Sequence, residues 1–388
     1  MKKLLLLLLA LLAVKTATSQ AFIFNYGHTT SRSYYTRIPY TLEGGKPIVE
    51  VMINGKPRRF LFDTGGMFSI REELVEELNL RLNIPVEITD RNGKHKQLRV
   101  SILDSLTLGN VTFIETPVTI VEGSVILDGY DLDGLIGSNM LRNSVVQFSP
   151  SHITITNSKS KLELNRRFDS KLTVDLDHQS TPITYLKVGN RTIPVVFDTG
   201  AGWILSLSNK DFKRLKKTSY THIATAVGSS SVGLFGEAEE SELYRIQLNA
   251  ANIGQNTLTN LRTTTSTGAA SILGFPLTFY GRVTIDYVDR RFYFEPYINP
   301  SNVFQKQWSV SIIADDYGRL LVGAVWDEGL ANVSAGDEIV AVDSLWLDNR
   351  TLYENLSTPI LPLKSDSALL TVRKSADSTL RTVTIVKK

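Results

Sequence analysis

The chain is 388 residues long, carries a formal net charge of +3 and contains no cysteine. Without cysteine there are no disulfides, thiolate metal sites, cysteine nucleophile or lipid-modified N-terminal cysteine, so stability rests on buried cores, two or three for this length. A near-neutral chain without a basic stripe is also a poor match for nucleic acid.

The first element is "MKKLLLLLLALLAVKTATSQ". Two lysines, an apolar run over 4–14 and a small-residue stretch read as a signal peptide over 1–19, cleaved near Ser19/Gln20. The run is too short to span a bilayer comfortably. Its lysine-and-leucine form is of bacterial type and implies an exported protein, periplasmic or secreted. No later stretch is long and apolar enough for an integral membrane segment. The leader also holds the excess charge: without Lys2, Lys3 and Lys15, thirty-nine basic residues face thirty-nine acidic ones.

Two homologous β-rich units follow, expected over 20–160 (with an N-terminal extension) and 161–299. A shift of 135 positions lays "VEVMINGKPRRFLFDTG" over "TYLKVGNRTIPVVFDTG". Both read as hairpins, turning at Asn54-Gly55 and Gly189-Asn190. Each is followed by a helical pattern, "SIREELVEELNL" with Ile70, Leu74 and Leu78 on one face, then "SNKDFKRLKK". Next comes an extended hairpin in each unit. The first, "PVEITDRNGKHKQLRV", turns at Asn92-Gly93, and the second is the Gly/Ser-rich "TAVGSSSVGLFGEAEESELYRI". The units then pair "DGLIGSNML" with "SILGFPLTF", placing Gly137 74 positions after Asp63 and Gly274 76 after Asp198. Closing hairpins, "VVQFSPSHITI" and "VTIDYVDRRFYF", end each unit. Beyond "INPSNVFQKQ", residues 300–388 form a small third domain of short strands with one helix near 349–356.

The twin stretches "FLFDTGG" and "VVFDTGA" carry the chemistry. A lone buried carboxylate is costly, whereas two at equivalent positions of a repeat can work as a pair. Twin apolar-apolar-Asp-Thr-Gly segments, each followed by apolar-apolar-Gly, resemble the pepsin-like and retropepsin-like aspartic proteases over residues 38–298. "TRIPYTLEGGKPIVEVMINGKPRRFLFDTGG" is similar to a bacterial retropepsin-like group. The resemblance implies a mainly β chain with two tandem retropepsin-like lobes in a bilobal aspartic-protease fold. It makes Asp63 and Asp198 the catalytic pair. Thr64 and Thr199 would cross-bond the lobes, Gly65 and Gly200 would permit close backbone approach, and Gly137 and Gly274 would pack behind the active loops. Asp133 occurs in matching motifs outside the pair and is structural. Gly66 stands where Ala or Ser is usual, and the first hairpin lacks a pepsin-type tyrosine, leaving open whether one or both hairpins serve as flaps.

The chemistry suits such a pair. Hydrolysis without a metal or covalent intermediate needs one group to take a proton from water and another to donate to the carbonyl. Two carboxyls within ~3–4 Å repel by roughly 4 kcal/mol at an effective dielectric near 20, about three pKa units, so one stays protonated. This shared proton is the established pattern in aspartic proteases. No metal or cofactor is implied. The five histidines form no His-x-x-x-His pair, and neither a Gly-x-Ser-x-Gly nor a phosphate loop occurs.

The third domain resembles a PDZ domain through "LLVGAVWDEGLANVSAGDEIVAVD", centred on Gly336-Asp337, but "FQKQWSVS" replaces the Gly-rich carboxylate loop. It implies a possible peptide ligand at a sheet edge. The sequence thus leads to an aspartic endopeptidase acting on peptide or protein substrates. The alternative is a catalytically inactive bilobal peptide-binding scaffold with a PDZ-like module.

Overall fold

The computed structural model describes residues 24–175, 179–229 and 231–388, and the leader over 1–19 lies outside them. The described chain is mainly β, with only short helical segments. None of its helices is long and apolar enough to cross a membrane.

Each half is built around one strand that ends in Asp-Thr-Gly. In the first, Lys56–Phe62 is antiparallel to Lys46–Ile53 on one side and parallel to Gly134–Ile136 on the other. Ser69–Arg71 then runs antiparallel to Gly134–Ile136 and parallel to Val111–Val121. The second half repeats the pattern: Arg191–Asp198 lies between Thr181–Val188 and Ser271–Gly274. Leu205–Ser208 runs antiparallel to Ser271–Gly274 and parallel to Asn256–Ser266. Both hairpin turns follow their residues, with Asn54 and Gly55 at φ 50° and 74° and Gly189 at φ 57°, the region glycine and asparagine tolerate best.

The segment "SIREELVEELNL" departs from its helical period. Ser69–Arg71 is a strand, Glu72–Leu74 a single 3₁₀ turn, and the rest irregular turns. Ile70 pairs with Gly134 and Ile120 in the sheet, while Leu74 and Leu78 still face the core. Strand pairing outweighs the weak local preference.

The closing hairpins join the halves. Val145–Phe148 and Gly281–Asp286 pair antiparallel, making a six-stranded sheet with strands from both units. Its fully buried Phe148 meets Phe62 and Phe197 edge-on at ring separations of 5.7 and 5.8 Å. Phe62 and Phe197 stand just before Asp63 and Asp198, so one aromatic floor supports both Asp-Thr-Gly loops. Edge-to-face packing and full burial favour that floor.

The C-terminal region has its own core around Val322, Ile339, Leu370 and Ile385. It also grips both halves. Its strand Leu320–Val325 extends the second half's sheet through Gly228 against Ala324, with Ser229 N donating to Gly323 O at 2.8 Å. Arg245 stacks its guanidinium 4.2 Å over Trp326 and donates to Trp308 O. On the other side the helix Leu352–Ser357, started by the Thr351/Glu354 capping box, reaches the first half. Tyr353 donates to Glu43, and Gly44 N donates to Ser357 O at 3.0 Å.

Candidate active site

Asp63 and Asp198 meet where the two halves face each other. Each ends a strand held between an antiparallel and a parallel neighbour. Asp63 N donates to Ile136 O at 2.9 Å, and Asp198 lies in register with Gly274. The carboxyls hydrogen-bond each other. Gly65 N donates to Asp63 Oδ1 at 2.9 Å and Gly200 N to Asp198 Oδ1 at 2.8 Å. These N–H groups aim one oxygen of each carboxyl.

Burial, followed by the neighbouring Asp198 charge and hydrogen bond, pushes the Asp63 carboxyl up to about 8, while the Lys46 ammonium and Gly65 N–H work the other way. The pair therefore holds one proton through neutral pH, and the proton belongs to the pair rather than to one residue.

The threonines cross between the halves. Thr64 Oγ1 donates to Phe197 O and Thr199 Oγ1 to Phe62 O, both at 2.6 Å. In return Thr64 Oγ1 accepts from Thr199 N at 3.1 Å and Thr199 Oγ1 from Thr64 N at 3.0 Å. Both side chains are fully buried. Thr64→Val keeps the shape but strands Phe197 O and Thr199 N, each costing about 1–3 kcal/mol. Urea unfolding should therefore show a loss of roughly 2–4 kcal/mol for Thr64→Val and a similar one for Thr199→Val. The double variant should fall short of the sum, because the two share one network.

The glycines are needed for space. A Cβ on Gly65 would sit 2.5 Å from Asp198 Cγ, and one on Gly200 2.9 Å from Asp63 Cγ, so each half's glycine lies against the other half's carboxyl. A Cβ at Gly66 would come within 3.0 Å of Asp63 Oδ2, whereas Ala201 fits at the matching position. Gly137 packs against Met67 and Phe68, and Gly274 against Trp203 and Ala201. Asp133 lies apart from the pair: its carboxylate accepts from Arg59 N at 2.8 Å and pairs with Arg58. Among the described residues no group of three His, Asp or Glu side chains is placed to hold a metal.

Both extended hairpins reach over the cleft, and their tips touch. The first is Ile84–Thr89 with His95–Leu108; the second rises from Tyr220–Gly228 and Ser241–Ile253. Phe235 N donates to Asp90 Oδ2 at 3.2 Å, Ser231 to Asn92 Oδ1 at 2.8 Å, and Asn92 Nδ2 to Gly236 O at 3.2 Å. Beneath them lies a cavity of about 640 Å³ that includes both aspartates. The C-terminal region supplies part of its wall, notably Ile312, Leu356, Ile360 and Leu361.

Three residues of this site carry no motif in the sequence. Lys46 donates to Gly200 O across the halves, Arg91 stacks 4.6 Å over the Trp203 ring, and Gln179 Nε2 donates to Gly65 O at 2.9 Å. The repeat carried no signal for the two cations: at the 135-position shift Lys46 falls on Thr181 and Arg91 on Ala226.

Residues 49–140 match the family described as aspartyl protease. Among solved structures, basic 7S globulin from soybean is similar over 70% of this chain and 99% of its own, with a TM-score of 0.41 and 11% identity. No curated protein matches the sequence.

Proposed function

We propose that the chain is an aspartic endopeptidase that hydrolyses peptide bonds with water activated between Asp63 and Asp198. The observation that carries this reading is the hydrogen-bonded carboxyl pair, each member aimed by a glycine N–H and set on a shared threonine network. The ionised member takes a proton from water as the oxygen attacks, and the protonated member donates to the carbonyl oxygen. The member that took the water proton then passes it to the leaving amine as the C–N bond breaks, while the other takes back a proton from a hydroxyl of the collapsing diol, which becomes the carboxylic acid and restores the pair. The residues of a peptide flanking the bond would lie along the cavity, beneath the joined hairpin tips, which must part to admit it.

The C-terminal region is read as a PDZ-like module, supported by its strand-helix-strand order, that offers a sheet edge to an extended peptide. Export is supported by the leader-like residues 1–19.

Digestion of casein and of a mixed peptide library tests the activity. Cleavage should be blocked by a peptide carrying a non-hydrolysable hydroxyl in place of the scissile carbonyl. The kcat/KM profile should be bell-shaped, falling at low pH as the pair takes up a second proton. It should fall again as the shared proton is lost near the Asp63 value of about 8. Binding of peptides without any cleavage across that range would favour the inactive scaffold instead.

A further inference from the structure

The cleft wall holds six charged side chains: Lys46, Arg91 and Lys387 against Asp63, Asp198 and Asp90. Because the aspartate pair shares a proton, three cations face two negative charges. Asp90 is committed to the hairpin tips, accepting from the backbone N–H groups of Asn92, Lys94 and Phe235. Lys46 and Arg91 have no carboxylate ion-pair partner among the described residues. Lys46 uses one of its three donors, on Gly200 O, and rests 5.8 Å over the Tyr130 ring. Arg91 donates no hydrogen bond among the described residues; its buried Nε has no partner there, its guanidinium lies on the Trp203 face, and the charges of Asp198, Asp90 and Asp63 act on it without an ion-pair contact.

Partly desolvated cations with free donors are costly unless a counter-charge arrives. The dyad cannot fully serve as that counter-charge for both, since it holds a single negative charge between two cations. A substrate carboxylate can. Arg91 presents a planar fork suited to a carboxylate, and Lys46 a point charge on the same cleft wall.

Resting on the endopeptidase reading above, we infer that Lys46 and Arg91 select substrates with a Glu or Asp side chain close to the scissile bond. A charge-assisted hydrogen bond contributes about 1.5–3 kcal/mol, so Glu should be preferred over Gln by roughly ten- to a hundredfold at the position that reaches them.

The test uses the full chain and matched peptides carrying Glu, Gln or Lys at each of four positions on either side of one cleaved bond. Expected is at least one position where kcat/KM for Glu exceeds that for Gln tenfold or more, with Lys worst. Lys46→Met and Arg91→Leu should each shrink that ratio, and Lys46→Arg should retain most of it. Using the ratio within one variant cancels any general damage to the aspartate pair.

Two results overturn the inference while leaving the endopeptidase reading intact. One is cleavage of Gln and Glu peptides at equal rates at every position. The other is variants that shift the pH profile but leave the ratio unchanged, which would make the cations servants of the dyad alone. If no peptide is cleaved, the parent reading fails, and affinity of the same fluorescent peptides for the chain still decides the charge preference. Equal Kd values for Glu and Gln peptides would then refute it.

Discussion

Asn in place of Asp63 or Asp198 is expected to lower kcat by about 10³–10⁴-fold while the chain stays folded. On the endopeptidase reading each carboxyl has a role the other cannot take, and loss of a positioned acid or base typically costs 10²–10⁴-fold. Both aspartates must also share one proton, so either substitution removes acid and base function together. The fold should survive because an Asn oxygen can still accept the N–H of Gly65 or Gly200, and its amide can donate to the remaining carboxylate. Stability provides an independent readout. The pair's shared proton, assigned to Asp63, is held up to about 8 in the folded chain against the ordinary 3.8, so between those values the folded chain holds a proton that the unfolded chain releases. Its stabilising contribution is therefore complete below the unfolded value and is lost as pH rises towards 8. Asp63→Asn should flatten that slope between pH 5 and pH 8 in urea unfolding. Cleavage surviving at a tenth of the normal rate in either variant would refute a two-aspartate mechanism.

The largest stability loss is expected for Gly137→Ala and Gly274→Ala. Gly137 has φ −98° and ψ 167°, and Gly274 φ −98° and ψ 176°, extended backbone that any residue adopts. What forbids a side chain is space. A Cβ at 137 would lie 2.0 Å from Phe68 N and 2.1 Å from Met67 C; at 274 it would lie 2.0 Å from Trp203 O. These are backbone atoms and cannot rotate aside. Relief requires moving the loop that follows each Asp-Thr-Gly, which also carries Gly66 and Ala201 and so shifts the carboxyls. Overpacking a tight core costs 1–3 kcal/mol and occasionally more; with backbone on every side, about 3 kcal/mol or more is expected, with activity falling alongside. Gly55→Ala is the control. It has φ 74° and nothing within 4 Å of its Cβ, so it bears only the left-handed strain of about 1–2 kcal/mol. Urea midpoints showing Gly137→Ala milder than Gly55→Ala would overturn the steric account.

These residues were legible in the sequence because duplication repeats them in register: Asp63 with Asp198, Thr64 with Thr199, Gly137 with Gly274. The hairpin turns were legible because Asn54, Gly55 and Gly189 act locally. Three features were not. The segment after Gly66 keeps an apolar period that suits a helix, but Ile70 is claimed by a sheet whose partners, Ile120 and Gly134, lie far along the chain. Lys46 and Arg91 look like ordinary surface cations until the halves close over them. The docking of the C-terminal region through Gly228 and Ala324 depends on one long-range strand contact, announced only by a glycine in a Gly/Ser-rich stretch.

The sheet that joins the two halves also imposes a schedule on synthesis. The strand Val145–Phe148 is buried at every position, yet one of its neighbours, Gly281–Asp286, follows roughly 140 residues later. At 5–20 residues per second the ribosome takes on the order of 7–30 s to deliver it. Through that interval the growing chain carries an open, apolar strand edge of the kind that recruits other chains. The half-made protein, rather than the finished one, is the species most exposed to aggregation.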